Sequence, residues 1–292
     1  MTTRIWKFIV ALPEETLRLD QLISLRTGLS RRKARAVLQM GGVQVARKRV
    51  RVAGRTLKAG SEVVVAHDDT LGVPPDQAVP VLFEDEWLLV VDKPAGMASQ
   101  GTQASDQHDL TALLQRQRPG MVLALQHRLY QGTSGILVIA KHPSAHLGSQ
   151  FQARTIGKTY LARVSRPLEP VSVELPIGRM RGSQPARYGC AGDLEEPRPA
   201  RTDFRPATAE ECLGLIPGFW VVAEPHSGRT HQIRVHLAHL ANPVLGDGFY
   251  HGEQSDQLWL HAWKLELEHP VTGARLALTA PPTRFLAPAE RP

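Results

Sequence analysis

The chain has 292 residues, a formal net charge of +7 and 42% hydrophobic residues, which suits two folded domains with proper cores and excludes a disordered or fibrous chain. Its two cysteines, Cys190 and Cys212, make no disulfide framework and point to a reducing compartment, with the cytoplasm as the default. No apolar run approaches the ~20 residues that span a bilayer, so no membrane association is expected.

In chain order, the first apolar run, Phe8 to Leu12, is too short for a signal core, stops at Pro13-Glu14-Glu15 and reads as a strand. Charge is then distributed unevenly. Between Gln21 and Ser61 there are 11 Lys or Arg and no acid, so the remainder of the chain sums to −4. Solvated surfaces ordinarily mix both signs, and a segment of this length without one acid points to a polyanion, nucleic acid first. Ser30 is placed to cap a helix over Arg31–Met40 that Gly41 ends. Ala34, Val37 and Leu38 share one face of it, while Arg32 and Arg35 fall away from that face and Arg31 lies at its edge, within reach of phosphates. Arg49-Val50-Arg51-Val52 alternates basic and apolar residues, which suits a hairpin over Val43–Val52 with a charged outer face. Arg47, Lys48 and Arg49 of that hairpin join the three arginines as expected RNA contacts. Glu62–Ala66 reads as a closing strand. Residues 1–66 thus form a small basic α/β domain, and 67–80, stiffened by Pro74, Pro75 and Pro80, form a linker.

The second domain is expected over residues 81–292. Val81–Phe83, Trp87–Asp92, Ile136–Ala140, Tyr160–Val164, Trp220–Glu224, Gln232–Val235 and Leu258–Leu267 read as strands. Asp109 caps a helix over Leu110–Arg118, and Pro143 starts another that carries Leu147 and Phe151 inward. Residues 178–200, rich in Gly, Pro and Arg, read as a long loop. Many strands with few helices argue an α+β fold with a largely antiparallel mixed sheet.

Five stretches stand out as motifs: EDEWLLVVDKPAGM at 84–97, HRLYQGTSG at 127–135, QFQARTIGKTYLARV at 150–164, GRTHQIRVH at 228–236, and LHAWKLELEHP at 260–270. Asn242-Pro243, Gly246-Asp247 and Tyr250 follow the fourth. Together and in this order they resemble the RluA-type pseudouridine synthases, and residues 18–65 are similar to the small RNA-binding domain first known from a ribosomal small-subunit protein. One short motif would be weak; a series covering nearly the whole chain is specific. Tyr130 stands at the position where that family has its catalytic aspartate.

The resemblance implies a pseudouridine synthase fold, isomerisation of uridine to pseudouridine in structured RNA (rRNA or tRNA), and no cofactor. It also implies a monomer without an obligate protein partner. Residue by residue, it places Tyr130 at the catalytic position, Arg229 as the cation that holds the catalytic group, and Tyr160 as the platform under the uracil ring. Ile233 becomes an apolar wall, with His127, Thr133 and Lys158 lining the substrate site. Arg128 either enters the space left by the flipped base or pins its own loop by a salt bridge. Taken alone, Tyr160 reads first as a core tyrosine in an apolar strand; the resemblance favours the pocket.

His226, His231, His236, His239 and His251 lack the i,i+4 spacing and acid partner of a zinc helix, so no metal site is expected. A phenol with a reference pKa of ~10 is only about 0.1% ionised at pH 7, and bringing it to neutrality needs roughly 4 kcal/mol from neighbours. Three functions stay open on the sequence: an isomerase using Tyr130, a catalytically silent RNA-binding or ribosome-maturation relative, and a basic small domain for which the second domain is only a scaffold. The presence of Arg128, Lys158, Tyr160 and Arg229 together argues against the third.

Overall fold

A computed structural model describes residues 3–183 and 186–288. The chain divides into two compact units, Met1–Ala78 with Met97–Met121, and Val79–Gly96 with Val122–Pro292.

The first unit is built on a four-stranded antiparallel sheet in the order β1-β4-β2-β3, formed by β1 (Arg4–Ile9), β2 (Val43–Val45), β3 (Lys48–Arg49) and β4 (Glu62–His67). The first strand lies upstream of the apolar run at 8–12 because Leu12–Glu14 turns into a single 3-10 turn. Pro13 fixes its dihedral there, and the Glu14 carboxylate accepts the Ala11 amide at 2.8 Å. Two helices pack on the sheet, α1 (Leu19–Thr27) and α2 (Arg31–Met40), with Leu19, Leu22, Ile23, Ala34, Val37 and Leu38 meeting Val43, Val63 and Val65. Ser30 Oγ accepts the Lys33 amide at 3.2 Å, and Gly41, at φ +84°, ends α2 in the left-handed conformation.

The hairpin β2–β3 turns through Ala46 and Arg47, both at positive φ. Arg32, Arg47 and Lys48 are exposed. Arg49 is otherwise employed: its guanidinium donates to the carbonyls of Gly41 and Thr102 and approaches Asp106 Oδ2, while Arg51 Nη2 donates to both oxygens of Asp106, at 2.5 and 2.7 Å. These bonds fasten residues 97–121, including α3 (Leu110–Gln117, capped by Asp109), to the first unit. Such an excursion leaves no mark on hydrophobic periodicity, and the sequence boundaries put this segment in the second domain.

The second unit carries a ten-stranded sheet. In chain order its strands are β5 (Val81–Glu84), β6 (Leu88–Lys93), β7 (Ala124–Leu125), β8 (Ser134–Ala140), β9 (Gly157–Val164), β10 (Val171–Val173), β14 (Thr202–Pro206), β15 (Phe219–Pro225), β16 (Leu260–Glu268) and β17 (Arg275–Thr279). The intervening β11 (Ile177–Met180), β12 (Tyr188–Gly189) and β13 (Leu194–Arg198) make a separate three-stranded sheet. The large sheet runs β10-β14-β15-β9-β16-β8-β6-β5, with β17 added to β16 and β7 to β8. All pairings are antiparallel except β8 with β16. The fold is α+β with a largely antiparallel sheet.

Two expectations are corrected. Gln232–Val235 is not a strand but the start of α5 (Gln232–His239). Its alternation of polar and apolar residues imitates a strand, yet every residue from Gln232 to Leu237 is buried, and the polar ones have internal partners. Arg234 binds Asp247, and His236 meets Thr202 Oγ1 at 2.9 Å. Residues 178–200 are not a long loop, since they contain β11–β13, anchored by packing of Ile177 and Tyr188 with Val235 and Tyr250. After Pro143, a 3-10 turn (Pro143–Ala145) precedes the short helix α4 (Gly148–Ala153). No helix among the described residues is long and apolar enough to cross a membrane.

Candidate active site

β8 is buried along its whole length and lies between β16 and β6. Its entry is sterically dictated. Gly135 has φ +111°, and a Cβ there would lie 2.2 Å from the Ala262 carbonyl oxygen of the parallel neighbour, so only glycine fits. The chain enters β8 through a turn in which the Thr133 amide donates to Tyr130 O at 3.0 Å, which buries Thr133 and presents Tyr130 at the surface, 42% exposed.

This turn is braced by the segment after β6. The Gly96 amide donates to Gln131 O at 2.7 Å, and Gln131 Nε2 donates back to Gly96 O at 2.9 Å. Lys93 is completely buried and donates through Nζ to Pro94 O at 2.9 Å and Gln131 O at 3.5 Å. Burial pulls its amine down to about 7, opposed by Asp92 and assisted by Arg284. Lys93 lies in the 84–97 motif, and its only sequence signal is a lysine closing an apolar strand just before Pro-Ala-Gly. The base of the turn is held by Ser134, whose hydroxyl meets His261 Nδ1 at 2.8 Å, while His261 Nε2 donates to Ala280 O at 3.0 Å.

Facing Tyr130 is the head of α5. His231 sits at its N-cap with φ +56°, and its ring centroid is 4.3 Å from that of Tyr130, the planes inclined at 60°. His231 Nδ1 and the Tyr250 hydroxyl are 2.7 Å apart, and Tyr188, Phe249 and Tyr250 complete the aromatic surroundings of the imidazole. Burial, helped by the Arg234 charge, lowers His231 to about 4, so the ring is neutral at pH 7. Burial pushes the Tyr250 phenol up to about 12. Beneath them Arg234 and Asp247 form a buried bidentate pair at 2.6 and 2.7 Å.

The turn before α5 carries Arg229. Gln232 Oε1 accepts the Arg229 amide at 3.0 Å and the Ser227 hydroxyl at 2.6 Å, which fixes the turn. Arg229 Nε donates to Pro199 O at 3.1 Å, and no hydrogen bond joins Arg229 to Tyr130. Lys158 Nζ reaches the same turn at Ser227 O, 3.3 Å away. Its amine is lowered by burial and by the nearby Arg154 charge. His127 accepts the Val138 amide through Nε2 at 3.1 Å and lies beside Phe151; burial and the Lys158 charge bring it down to about 4. Tyr160, in β9 between Ala223 and Ala262, packs in the same apolar cluster as the buried Ile233, and burial raises its phenol to about 12. Arg128 is exposed and forms no salt bridge among the described residues.

The structure therefore brings Tyr160 together with Ile233, Lys158 with His127 and the Arg229 turn, and Tyr130 with His231. Arg31, Arg32, Arg35, Arg47, Lys48 and Arg49 belong to the first unit. Among the described residues no group of three His, Cys, Asp or Glu stands together as a metal would require, and both cysteines are free thiols.

Comparison with known proteins gives a consistent picture. A family profile described as RNA pseudouridylate synthase matches residues 87–239. The dual-specificity RNA pseudouridine synthase RluA of Vibrio parahaemolyticus is 35% identical over 206 residues, covering 68% of this chain and 80% of that protein. The ribosomal large subunit pseudouridine synthase C of Pasteurella multocida is 33% identical over 69% of this chain and 64% of its own length. Among solved structures, human RNA pseudouridylate synthase domain-containing protein 1 superposes with a TM-score of 0.59 at 27% identity, covering 72% of this chain and 86% of that one.

Proposed function

Because this chain belongs to the RNA pseudouridylate synthase family, we propose that it is an RluA-type isomerase that converts uridine to pseudouridine in rRNA or tRNA. The reaction breaks the bond between sugar and ring nitrogen, turns the base, and rejoins the sugar to a ring carbon, whose proton leaves as the nitrogen gains one. Nothing is oxidised and no co-reactant is consumed. What the protein must supply is a platform for the flipped base, a cation for the reacting group, and compensation for unstacking, a few kcal/mol.

The observation that carries this reading is the head of α5. The same short stretch presents Arg229 at its turn, His231 against Tyr130, and Ile233 in one apolar cluster with Tyr160. A uracil ring would lie against Tyr160 and Ile233, with Lys158 and Arg229 supplying positive charge at the rim. Arg128, His127 and Thr133 belong to the loop that would close over it. In this reading Tyr130 acts in place of a carboxylate, and Arg229, only one of whose five N–H donors is engaged by Pro199, stabilises its ionised form. The basic first unit would hold the RNA through Arg31, Arg32, Arg35, Arg47 and Lys48, with Arg49, expected as a contact, committed instead to Gly41, Thr102 and Asp106. The protein would act as a monomer in the cytoplasm.

One observation favours a second reading. The Tyr130 ring rests on a neutral histidine and has no hydrogen bond to Arg229 among the described residues, an arrangement that fits holding RNA without cleaving the glycosidic bond. A silent RNA-binding or ribosome-maturation factor would look the same. Incubating wild type, Tyr130→Phe and Tyr130→Asp with uridine-labelled rRNA and tRNA, followed by mass spectrometry, separates the two. Product from wild type that disappears with Tyr130→Phe supports the isomerase. No product from wild type on any RNA overturns it, and product gained with Tyr130→Asp alone supports the silent relative.

A further inference from the structure

Asp20 lies in the first turn of α1 with no side-chain exposure, yet three arginines converge on it. Its Oδ1 accepts from Arg18 Nε at 3.3 Å; its Oδ2 accepts from Arg35 Nε at 2.7 Å and from Arg31 Nη2 at 3.4 Å. Arg31 and Arg35 are one helical turn apart on α2, and Arg18 immediately precedes α1, so two helices and a loop are tied at one carboxylate.

The buried carboxylate of Asp247 takes a single arginine together with the amides of Phe249 and Tyr250. Arg234 grips Asp247 with both prongs and is itself only 11% exposed. Asp20 instead takes three arginines, each through one hydrogen bond, and the three side chains stay 47%, 51% and 50% exposed. One carboxylate is enough to fix them in place but neutralises only one of the three charges. What remains is a net excess of +2 with the outer guanidinium edges of Arg18 and Arg35 turned away from the acid, since both bind it through Nε. Guanidiniums held in this way lose less side-chain freedom when they meet a phosphate than free ones do.

We infer that Asp20 is a positioning residue that presents Arg18, Arg31 and Arg35 as one preorganised phosphate-binding face for the RNA backbone. The inference rests on the reading that this protein handles RNA. It assigns a role in RNA binding to an acid and to Arg18, and it makes the three arginines a unit instead of a diffuse basic surface.

The sign of the effect provides the test. Asp20→Asn in the full chain removes a negative charge, so a diffuse surface would bind RNA more tightly. A positioned face binds less tightly in spite of the added positive charge. Anisotropy titrations with a fluorescein-labelled RNA hairpin over a salt series should show an affinity loss of roughly ten-fold. The slope of log affinity against log salt should become shallower by about one phosphate contact, ~0.7–0.9. Arg35→Lys serves where Asp20→Asn fails to fold, because it keeps the charge and sits half exposed; it too should lose affinity. Equal or tighter binding by Asp20→Asn, or unchanged binding by Arg35→Lys, overturns the inference. Wild type that binds no RNA overturns the functional reading itself, a result distinct from wild type and variants binding alike.

Discussion

Tyr130 stands edge-on to His231, with ring centroids 4.3 Å apart. The histidine is neutral at pH 7 because burial holds it at about 4, so this contact is an aromatic one and lends no positive charge to a phenolate. His231 is in turn held at Nδ1 by the Tyr250 hydroxyl and backed by the buried Arg234–Asp247 pair. Tyr130 is thus supported by an aromatic and ionic layer, and the part of it the structure uses is the ring.

Stability measurements check that division. The Tyr130 hydroxyl makes no hydrogen bond among the described residues, whereas its ring packs on His231. Tyr130→Phe should leave the unfolding free energy within about 0.5 kcal/mol of wild type, as for other surface changes that touch no partner. Tyr130→Ala should cost about 1 kcal/mol by loss of the ring contact. Denaturant titration reads both. A loss with Tyr130→Phe as large as with Tyr130→Ala would mean the hydroxyl is bonded.

Acid should weaken the second unit through His261. Its ring is held at about 4 by burial, against about 6.5 in an unfolded chain. Between those values the unfolded state binds the proton and the folded state does not, so stability is full above pH 6.5 and is lost as pH falls toward 4. The loss attributable to this one residue is up to roughly 3 kcal/mol. Protonation of Nδ1 would also oppose the Ser134 hydroxyl that donates to it. Thermal unfolding across pH 7 to 4.5 should show the fall, and His261→Gln should flatten it while lowering stability at pH 7. An acid slope equal to wild type in that variant would assign the effect elsewhere.

The parts of this protein that the sequence made legible are those with a clear apolar pattern, either one buried face of a helix or a strand buried throughout. α2 announced itself by Ser30, Gly41 and the apolar positions 34, 37 and 38, and β6 and β8 by their apolar runs. α5 was misread because its polar residues face Asp247 and Thr202 instead of water, which erases the helical period. The β11–β13 sheet was missed because its strands are short, one of them two residues long, and include Gly178, whose Cβ would meet Glu195 O at 2.8 Å. At the site, residue types were readable but partners were not. Nothing in a linear motif indicates that Tyr130 would lean on His231, or that Lys93 would be buried beneath its turn.

The hairpin turn at Ala46-Arg47 holds two non-glycine residues at φ +48° and +65°. Two-residue hairpin turns of this kind favour Asn-Gly, and a left-handed L-residue costs about 1 kcal/mol. Arg47→Gly should therefore stabilise the first unit by about 0.5–1 kcal/mol in denaturant titration. The same variant should weaken RNA binding and reduce the salt slope by about one phosphate contact, because the exposed guanidinium is gone. Stabilisation without any loss of RNA affinity would remove Arg47 from the binding surface.

Lys93 should prove necessary for the Tyr130 turn. Its ammonium serves the Pro94 and Gln131 carbonyls from a fully buried position, and an unsatisfied buried acceptor costs about 1–3 kcal/mol. Lys93→Ala should lower stability by about 2–4 kcal/mol and make the chain near Gln131 the first site of limited proteolysis. Cleavage that begins elsewhere, at unchanged Tm, would show that the glutamine–glycine bonds alone secure the turn.

The relation between positions 130 and 229 can be tested by restoring an acid. In Tyr130→Asp the carboxylate would be ionised without assistance, at a reference pKa of ~3.9, and its natural partner is Arg229, which spends only Nε on Pro199. A charge-assisted pair formed there would hold the carboxylate toward Tyr160 and Ile233, which already share a cluster. Pseudouridine formation by Tyr130→Asp should therefore exceed that of Tyr130→Phe by at least about a hundred-fold, within the range that one preorganised charged group contributes. The double variant Tyr130→Asp with Arg229→Ala should lose most of that gain, whereas Arg229→Ala combined with Tyr130→Phe should change little, since no carboxylate is present to be held. A cycle measured on the same RNA by mass spectrometry gives the coupling directly. If the two variants with Arg229 removed fall by the same factor, the guanidinium serves RNA binding alone and not the group at position 130.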